Sequence, residues 1–158
     1  MKAVLIDPHT KTVTDVQLQD GNRLEEMREL IGCDLLTAIT LESGDSLFLD
    51  DEGLYVPGQK FFALPEDYIE PLAGRALVLG LDHSNGESID AHYDASDILD
   101  SSIVFFEDIE EVLDFVQKAY GVSRQAYPHP PNLALAARFF YSWLLRSAAR
   151  NAVCEAHS

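Results

Sequence analysis

The sequence is poor in positive charge. Its 158 residues include 11 Lys and Arg against 27 Asp and Glu, which leaves a formal net charge of −16. A domain of this size stays in solution with a net charge of about 2–8 units, and additional charge destabilises the compact state by self-repulsion. A surface of this sign repels phosphates, which argues against direct binding of DNA or RNA.

Long apolar runs and paired cysteines are also scarce. No run reaches the roughly 18 uninterrupted apolar residues that a membrane span needs, and the best segment, 133–145, is interrupted by Arg138. The first residues become acidic too soon for a signal peptide. Cys33 and Cys154 match no metal or redox spacing. We therefore predict a cytoplasmic protein with free thiols, no cofactor and no membrane association.

The acidic residues are unevenly distributed along the chain. Residues 1–120 contain 26 Asp and Glu against 7 Lys and Arg, whereas residues 121–158 contain one acidic residue and four arginines. We therefore predict an acidic α+β domain over 1–106. A C-terminal helical extension over 107–158 is expected to pack on this domain or on a partner.

Hydrophobic patterning predicts an α+β fold. Predicted strands cover 2–6, 12–18, 35–41, 46–49, 61–64, 76–80 and 103–106, and predicted helices cover 24–31, 94–100, 107–120 and 133–152. Asn22 and Glu25 have the spacing of a capping box, and Gly32 is placed to end the first helix. We expect a mixed, mainly antiparallel sheet with helices packed on it and a C-terminal helical hairpin.

Four sequence blocks, taken in order, resemble a known family. They are MKAVLIDP at 1–8, LIGCD at 30–34, LFLDDEGL at 47–54 and PLAGRALVLG at 71–80. Together they resemble an uncharacterised domain-of-unknown-function family (three-eight-four-six) of phages, plasmids and integrated mobile elements. The resemblance covers about residues 1–106. It implies a mobile-element setting and supplies no catalytic or binding residues.

The segment 82–94 contains the best candidates for metal ligands. Neutral imidazole and carboxylate groups suit Zn, Mn or Fe, and the weak candidates here are Asp82, His83, Asp90, His92 and Asp94. Their spacing matches no known metal motif. A solvated polar hairpin is the alternative interpretation.

Catalytic motifs are missing from the chain. The sequence has no Gly-x-Ser-x-Gly elbow, no Walker loop and no Rossmann glycine pattern. Arg75, in a region with almost no other cation, is expected to form an internal salt bridge with a nearby carboxylate. These observations favour a protein that is not an enzyme.

The acidic charge is the main functional lead. A chain of this length has a diameter of about 40 Å, and about 40 Å of duplex DNA carries roughly 24 phosphates. An acidic face of similar charge can occupy a basic, nucleic-acid-binding surface of a host protein, as an anti-defence inhibitor or nucleic-acid mimic. The predicted acidic face comprises Asp45, Asp50, Asp51, Glu52, Asp97, Asp100, Glu107, Asp108, Glu110, Glu111 and Asp114.

Three alternatives remain open at this point. The acidity can instead reflect generic solubility or adaptation to high salt. The protein can be an adaptor or structural protein that forms a homo-oligomer through its C-terminal helix, with Leu133, Arg138, Phe140, Trp143, Leu144, Arg146 and Arg150 at the interface. It can also be a metal-dependent or small-molecule-binding protein that uses the 82–94 segment.

Overall fold

The computed structural model describes residues 1–68 and 70–120. Its strands are β1 (Lys2–Asp7), β2 (Thr12–Gln17), β3 (Leu36–Thr40), β4 (Ser46–Asp50), β5 (Phe61–Ala63), β6 (Leu72–Ala73), β7 (Ala76–Leu81), β8 (Ser88–Ile89) and β9 (Val104–Phe106). Its helices are α1 (Arg23–Ile31), α2 (Ala95–Asp100) and α3 (Ile109–Tyr120). The predicted helix over 133–152 lies outside the described residues.

The strands form two antiparallel sheets. The larger sheet has the order β2-β1-β7-β4-β3, and β8 pairs with the end of β7. The smaller sheet has the order β6-β5-β9. Every strand pair in the described part of the chain is antiparallel. The predicted α+β class and mainly antiparallel sheet are therefore confirmed.

Alternating side chains divide the core into three apolar layers. One face of the larger sheet, including Leu77 and Leu79, packs against Met27 and Ile31 of α1. Its other face meets the inner face of the smaller sheet, where Phe62 is fully buried. Because successive residues of a strand point to opposite faces, the neighbours of Phe62 point outward and pack against α3. The order of layers is α1, larger sheet, smaller sheet, α3.

The last described helix, predicted over 107–120, forms the outer layer of the core with one apolar side. Val112 and Val116 of α3 are buried against the smaller sheet, and Ile109 and Leu113 pack beside them. Helix α3 thus packs on the smaller sheet. Burying a side chain of this size contributes about 1.5–3 kcal/mol, so this helix is held mainly by packing.

The ends of the helices only partly match the sequence pattern. Gly32 ends α1 with φ of +80° and donates its amide to Arg28 O, as predicted. Asn22 precedes α1, but its side chain makes no capping hydrogen bond, so the predicted capping box is wrong. A capping box instead begins α2, where Asp94 and Asp97 exchange hydrogen bonds with each other's backbone.

A tight chain crossing follows the central strand. Gly80 of β7 is buried, and a Cβ at this position would collide with the carbonyl oxygen of Asp90. The amide of Ala91 then donates to Lys2 O at 3.0 Å. The segment after β8 therefore passes directly over the sheet, and a side chain on Gly80 would block this path.

No helix in the described residues has both the length and the hydropathy needed to cross a membrane.

Candidate functional site

A buried carboxylate fixes the segment that crosses the sheet. Asp45 follows the β3–β4 turn and has no solvent-exposed surface. Its Oδ1 accepts the His92 amide at 3.0 Å and lies 3.0 Å from His92 Nδ1. Its Oδ2 accepts the Tyr93 amide at 3.0 Å. Burying a charged group is costly unless it is well hydrogen-bonded, and these bonds join two segments 47 and 48 residues apart.

The contacts of Asp45 also set the orientation of a histidine ring. A carboxylate oxygen only accepts hydrogen bonds, so Nδ1 of His92 donates to Oδ1 of Asp45. The His92 side chain is 66% exposed, while Asp45 is fully buried. The pair therefore joins a buried carboxylate to a histidine ring at the protein surface.

A second buried acid holds the neighbouring tyrosine. Tyr93 Oη donates to Asp67 Oδ1 at 3.1 Å, and Asp67 is 8% exposed. Burial raises the pKa of Tyr93, and the hydrogen bond with Asp67 raises it further. The phenol therefore stays protonated and continues to donate. Asp45 and Asp67 together fasten the crossing segment to the body of the protein.

The sequence-based interpretation of Asp45 was wrong. We predicted it as part of an exposed acidic face, but its burial prevents contact with a partner. Asp45 lies among other acidic residues, and its partners are far from it along the chain. The sequence alone therefore did not indicate its buried role. The one local sign was its place after a glycine-containing turn, where Asp45 N donates to Ser43 Oγ.

The five candidate metal ligands are not brought together. Asp82 caps its own turn, where the hydrogen bond from Ser84 Oγ lowers its pKa. Asp90 accepts the Lys2 amide, and Asp94 caps α2. His83 lies over Gly44, and His92 contacts Asp45. In the described residues no three His, Cys, Asp or Glu side chains are placed to hold a metal ion.

The first turn of α3 and the residues before it form an exposed acidic cluster. Glu107, Asp108, Glu110 and Glu111 are exposed, as is Asp114 in the next turn. Carboxylates are favourable here because the N-terminus of a helix carries partial positive charge. Glu111 also accepts the Glu107 amide at 2.8 Å. We call these five residues the α3 acidic cluster.

Glu107 differs from the rest of the cluster because two lysines hold it. Lys11 Nζ lies 2.8 Å from its Oε1, and Lys60 contacts its Oε2. The hydrogen bonds from Lys11 and Lys60 lower the pKa of Glu107 to about 2. Glu107 therefore ties the β1–β2 turn to the start of β5.

This pKa predicts the pH dependence of a Glu107→Gln variant. A lowered folded-state pKa stabilises the fold above the unfolded value of 4.5, and this contribution disappears as the pH falls toward 2. We expect wild type to exceed Glu107→Gln in stability at neutral pH and the two to converge near pH 2. Urea unfolding at several pH values measures this. A stability difference that stays constant down to pH 2 would contradict this prediction. In addition, Lys11→Ala should raise the titration midpoint of Glu107 in NMR.

The other predicted acidic residues lie in two further places. Asp50, Asp51 and Glu52 lie at the end of β4, beside the C-terminal end of α1. Burial, together with the charges of Asp50 and Asp34, raises the pKa of Cys33 there to about 11. The Cys33 thiol is therefore protonated at neutral pH.

The third place is α2, beside the edge strand β2. Asp97 closes the capping box of α2, and Asp100 is exposed at its end. The first amide of α2, from Ala95, donates to Asp15 of β2. The eleven predicted residues therefore form three groups and one buried anchor.

Most cations of the described residues are paired within the protein. Lys11 and Lys60 share Glu107, as described above. The three arginines pair with acids of their own neighbourhood: Arg23 with Asp20, Arg28 with Glu25, and Arg75 with Asp7. The internal salt bridge predicted for Arg75 is confirmed, with Nε 3.1 Å from Asp7 Oδ2. Because most positive side chains are paired within the protein, the electrostatic field at the surface is negative.

An apolar groove that sequence reasoning missed lies between α1 and β3. It has a volume of about 340 Å³. Its lining includes Leu24, Met27, Leu36, Ala38 and Phe48. Leu24 is 53% exposed, although it is an apolar residue of the predicted helix over 24–31. The predicted interface helix, with Leu133, Arg138, Phe140, Trp143, Leu144, Arg146 and Arg150, lies outside the described residues.

Two relatives share parts of this sequence. An uncharacterized protein of Sinorhizobium fredii (strain NBRC 101917 / NGR234), y4iR, is 32% identical over 112 residues, which are 71% of this chain and 66% of y4iR. Protein PsiB of Rhizobium leguminosarum bv. phaseoli is 38% identical over 68 residues. That match covers 43% of this chain and 50% of PsiB. The chain thus spans between half and two thirds of the length of these relatives.

A family model matches most of the described region. The model is that of a domain of unknown function, DUF3846, and it matches residues 1–101. It includes the Asp45–His92 anchor and ends just before β9. No solved structure matches the chain. Because the match spans well over half of its residues, the chain belongs to the DUF3846 family.

Proposed function

We propose that this protein is a non-enzymatic binding protein whose acidic surface occupies a basic, nucleic-acid-binding surface of a partner protein. The observation that supports the proposal is that most of the positive side chains are paired within the protein. Five of the seven cations in residues 1–120 pair with carboxylates of the same chain. The carboxylates that remain exposed are therefore the main charged groups that a partner would meet.

The α3 acidic cluster is the part of this surface best suited to a partner. The buried stripe of α3 fixes the helix against the smaller sheet, so its opposite face is held rigidly. Glu110, Glu111 and Asp114 lie within about one turn on that face, at spacings that place them side by side. A row of carboxylates that is already ordered loses little conformational entropy on binding. Its electric field also accelerates encounter with a basic surface.

The second acidic group widens this surface. Asp50, Asp51 and Glu52 precede Gly53, which contacts Ala73 of the smaller sheet. The side chain of Gln59, next to Lys60, donates to Gly53 O at 2.8 Å, so this group lies near the Lys60–Glu107 pair. A basic partner at this end of the protein would therefore meet carboxylates from two elements.

The expected partner is a host protein, and the expected setting is a mobile genetic element. The resemblance of the first 106 residues to a family of such elements supports this setting. An accessory protein of this kind can counter host defence by occupying the surface with which a defence protein binds DNA or RNA. Such competition is electrostatic, so the complex should weaken steeply as salt screens the charges.

The α3 acidic cluster can be tested by neutralising it. A triple variant, Glu110→Gln with Glu111→Gln and Asp114→Asn, removes three charges at unchanged size. At about 0.5 kcal/mol for each exposed pair, we expect affinity for basic host proteins to fall about tenfold. The measurement is capture from host lysate at about 0.05 and 0.5 M salt, with captured proteins identified by mass spectrometry.

The control variant removes the same charge from the opposite layer. Asp20→Asn with Glu25→Gln and Glu29→Gln neutralises three exposed acids next to or on α1. It should retain the captured proteins at low salt. Equal losses from both variants would show that only the total charge matters, and capture of no DNA- or RNA-binding protein by wild type would overturn the proposal.

A further inference from the structure

The edge strand β3 lacks the usual protection in the described part of the chain. It is the last strand of the larger sheet and pairs only with β4 among the described residues. Its sequence, Leu36–Thr40, reads LTAIT and contains no charge and no proline. Proteins normally guard exposed edges with charged residues, proline, bulges or covering elements. An unguarded edge can bind an extended segment of another protein, which adds to the sheet as a further strand.

The outward backbone groups of β3 follow from its pairing with β4. Asp51 N donates to Leu35 O at 3.0 Å, and Leu41 N donates to Asp45 O at 2.9 Å. In antiparallel pairs, hydrogen-bonded positions alternate with positions whose groups point away, so the odd-numbered residues bond to β4. The amides and carbonyls that point to the open edge are therefore those of Leu36, Ala38 and Thr40.

The other described edge strands are shorter or covered. The carboxylate of Asp15 in β2 accepts the first amide of α2, and α2 packs beside this strand. The strands β6, β8 and β9 have only two or three residues. Among the described edge strands, β3 is therefore the one best suited to bind another strand.

The surface beside this edge is apolar. The groove between α1 and β3 is lined in part by Leu24, Leu36 and Ala38. Leu24 is 53% exposed, and so is Leu35, which directly precedes the strand. Successive side chains of an added strand would point to opposite faces of the sheet. Apolar side chains on such a strand would therefore remove apolar surface from water at this edge.

Carboxylates at both ends of β3 favour a positively charged occupant. Asp34 precedes the strand, Glu42 follows it, and both are exposed. Asp50 lies at the Asp34 end, where it is the register partner of the first residue of β3. Arg23, the cation that lines the groove, lies 3.8 Å from Asp20. The edge is therefore uncharged in the middle and negative at both ends, and the complementary strand is basic at both ends.

The same charges oppose a second copy of this chain as the occupant. Two copies with a net charge of −16 repel each other, and antiparallel pairing through β3 would bring Asp34 of one copy near Glu42 of the other. A basic segment is instead attracted by these carboxylates. Charge complementarity thus favours a segment of a different protein.

We propose that β3 binds an extended basic segment of a partner protein. An uncharged centre, rich in apolar side chains, lies along the five residues of β3, and Lys or Arg residues at its ends reach Asp34 and Glu42. At about 3.3 Å per residue, these basic residues are about eight positions and about 26 Å apart. The inference does not rest on the proposed function, because no residue of the α3 acidic cluster takes part.

A designed peptide tests the binding. The sequence KTITVTITK alternates threonine with apolar residues between two terminal lysines. With a fluorescent label, its binding to the full-length chain is measured by anisotropy at about 0.05 M salt. We expect ETITVTITE to bind about tenfold more weakly, because each end then meets a like charge. KTITPTITK keeps both lysines but lacks the central amide, so it should also bind more weakly.

Two matched charge variants of the full-length chain locate the site. Asp34→Asn with Glu42→Gln removes the charges at the ends of β3, and affinity for KTITVTITK should fall about tenfold. Glu110→Gln with Asp114→Asn removes the same charge from α3, which packs on the other sheet, and should change affinity by less than about twofold. Equal losses from both variants would overturn the proposal, because the peptide would then respond only to total charge.

Hydrogen exchange reports on the strand itself. With saturating KTITVTITK, the amides of Leu36, Ala38 and Thr40 should gain protection, because they would then bond to the added strand. The amides of Thr37 and Ile39 already face β4 and should change little. Binding without new protection at the three outward amides would overturn the proposal, as would a wild-type chain that does not bind the peptide.

Discussion

Replacing Asp45 by alanine is expected to lower the free energy of unfolding by about 2–4 kcal/mol. The change leaves the amides of His92 and Tyr93 without their acceptor in a part-buried place. Each buried donor that loses its partner costs about 1–3 kcal/mol. The exposed His92 ring can bond to water instead, so it adds little. Urea unfolding measures this loss, and the slope of the free energy of unfolding against urea concentration should stay unchanged.

The matched control is Asp51→Ala, six residues further along the chain. Asp51 is exposed, so its loss should change stability by no more than about 0.5 kcal/mol. Hydrogen exchange adds a local readout, because the amides of residues 92 and 93 should lose protection in Asp45→Ala. If both variants were equally stable and those amides stayed protected, Asp45 would not be an anchor.

Gly80→Ala is expected to cost about 3 kcal/mol or more. The added Cβ would meet the carbonyl oxygen of Asp90 and would lie 2.9 Å from Ile89 Cγ1. The carbonyl oxygen of Asp90 belongs to the backbone, so it cannot move away as the end of a flexible side chain could. The crossing segment would have to lift, and this would also stretch the bonds from Asp45. Thermal and urea unfolding should both show the loss.

A second glycine in the same hairpin gives the comparison. Gly86 has φ of +75° and no neighbour within 4 Å of an added Cβ. Gly86→Ala therefore carries only backbone strain, about 1 kcal/mol. Gly80→Ala should cost clearly more. Equal costs would mean that the crossing segment moves freely and is not held at Gly80.

The sequence predicted the elements whose signals are local. The predicted strand over 76–80 became the central strand β7, and the predicted helix over 107–120 became α3, which buries Val112 and Val116. Gly32 ended α1 because only a residue that tolerates positive φ fits there. In each case the element is determined by residues that are close together in the sequence.

The parts that sequence reasoning missed depend on contacts between distant segments. Asp45 resembles its acidic neighbours in composition, and only the approach of residues 92 and 93 makes it a buried anchor. Asn22 and Glu25 had the right spacing for a capping box, but Glu25 pairs with Arg28 and no side-chain bond forms at Asn22. The edge position of β3 likewise requires the strand order of the sheet.

The arrangement separates two roles of acidic residues in one small fold. Buried Asp45 and Asp67 hold the crossing segment to the body, and exposed carboxylates on α3 and after β4 face outward. Acidic residues thus stabilise the fold where they are buried and hydrogen-bonded, and under the proposed function the exposed ones attract a basic partner.

Competition with duplex DNA tests the central claim most directly. Host proteins captured on the full-length wild-type chain at low salt are challenged with increasing duplex DNA, and with the neutral polymer dextran as a control. If the acidic surface occupies a nucleic-acid-binding surface, DNA should release the captured proteins and dextran should not. Captured proteins that stay bound in saturating DNA would contradict the account.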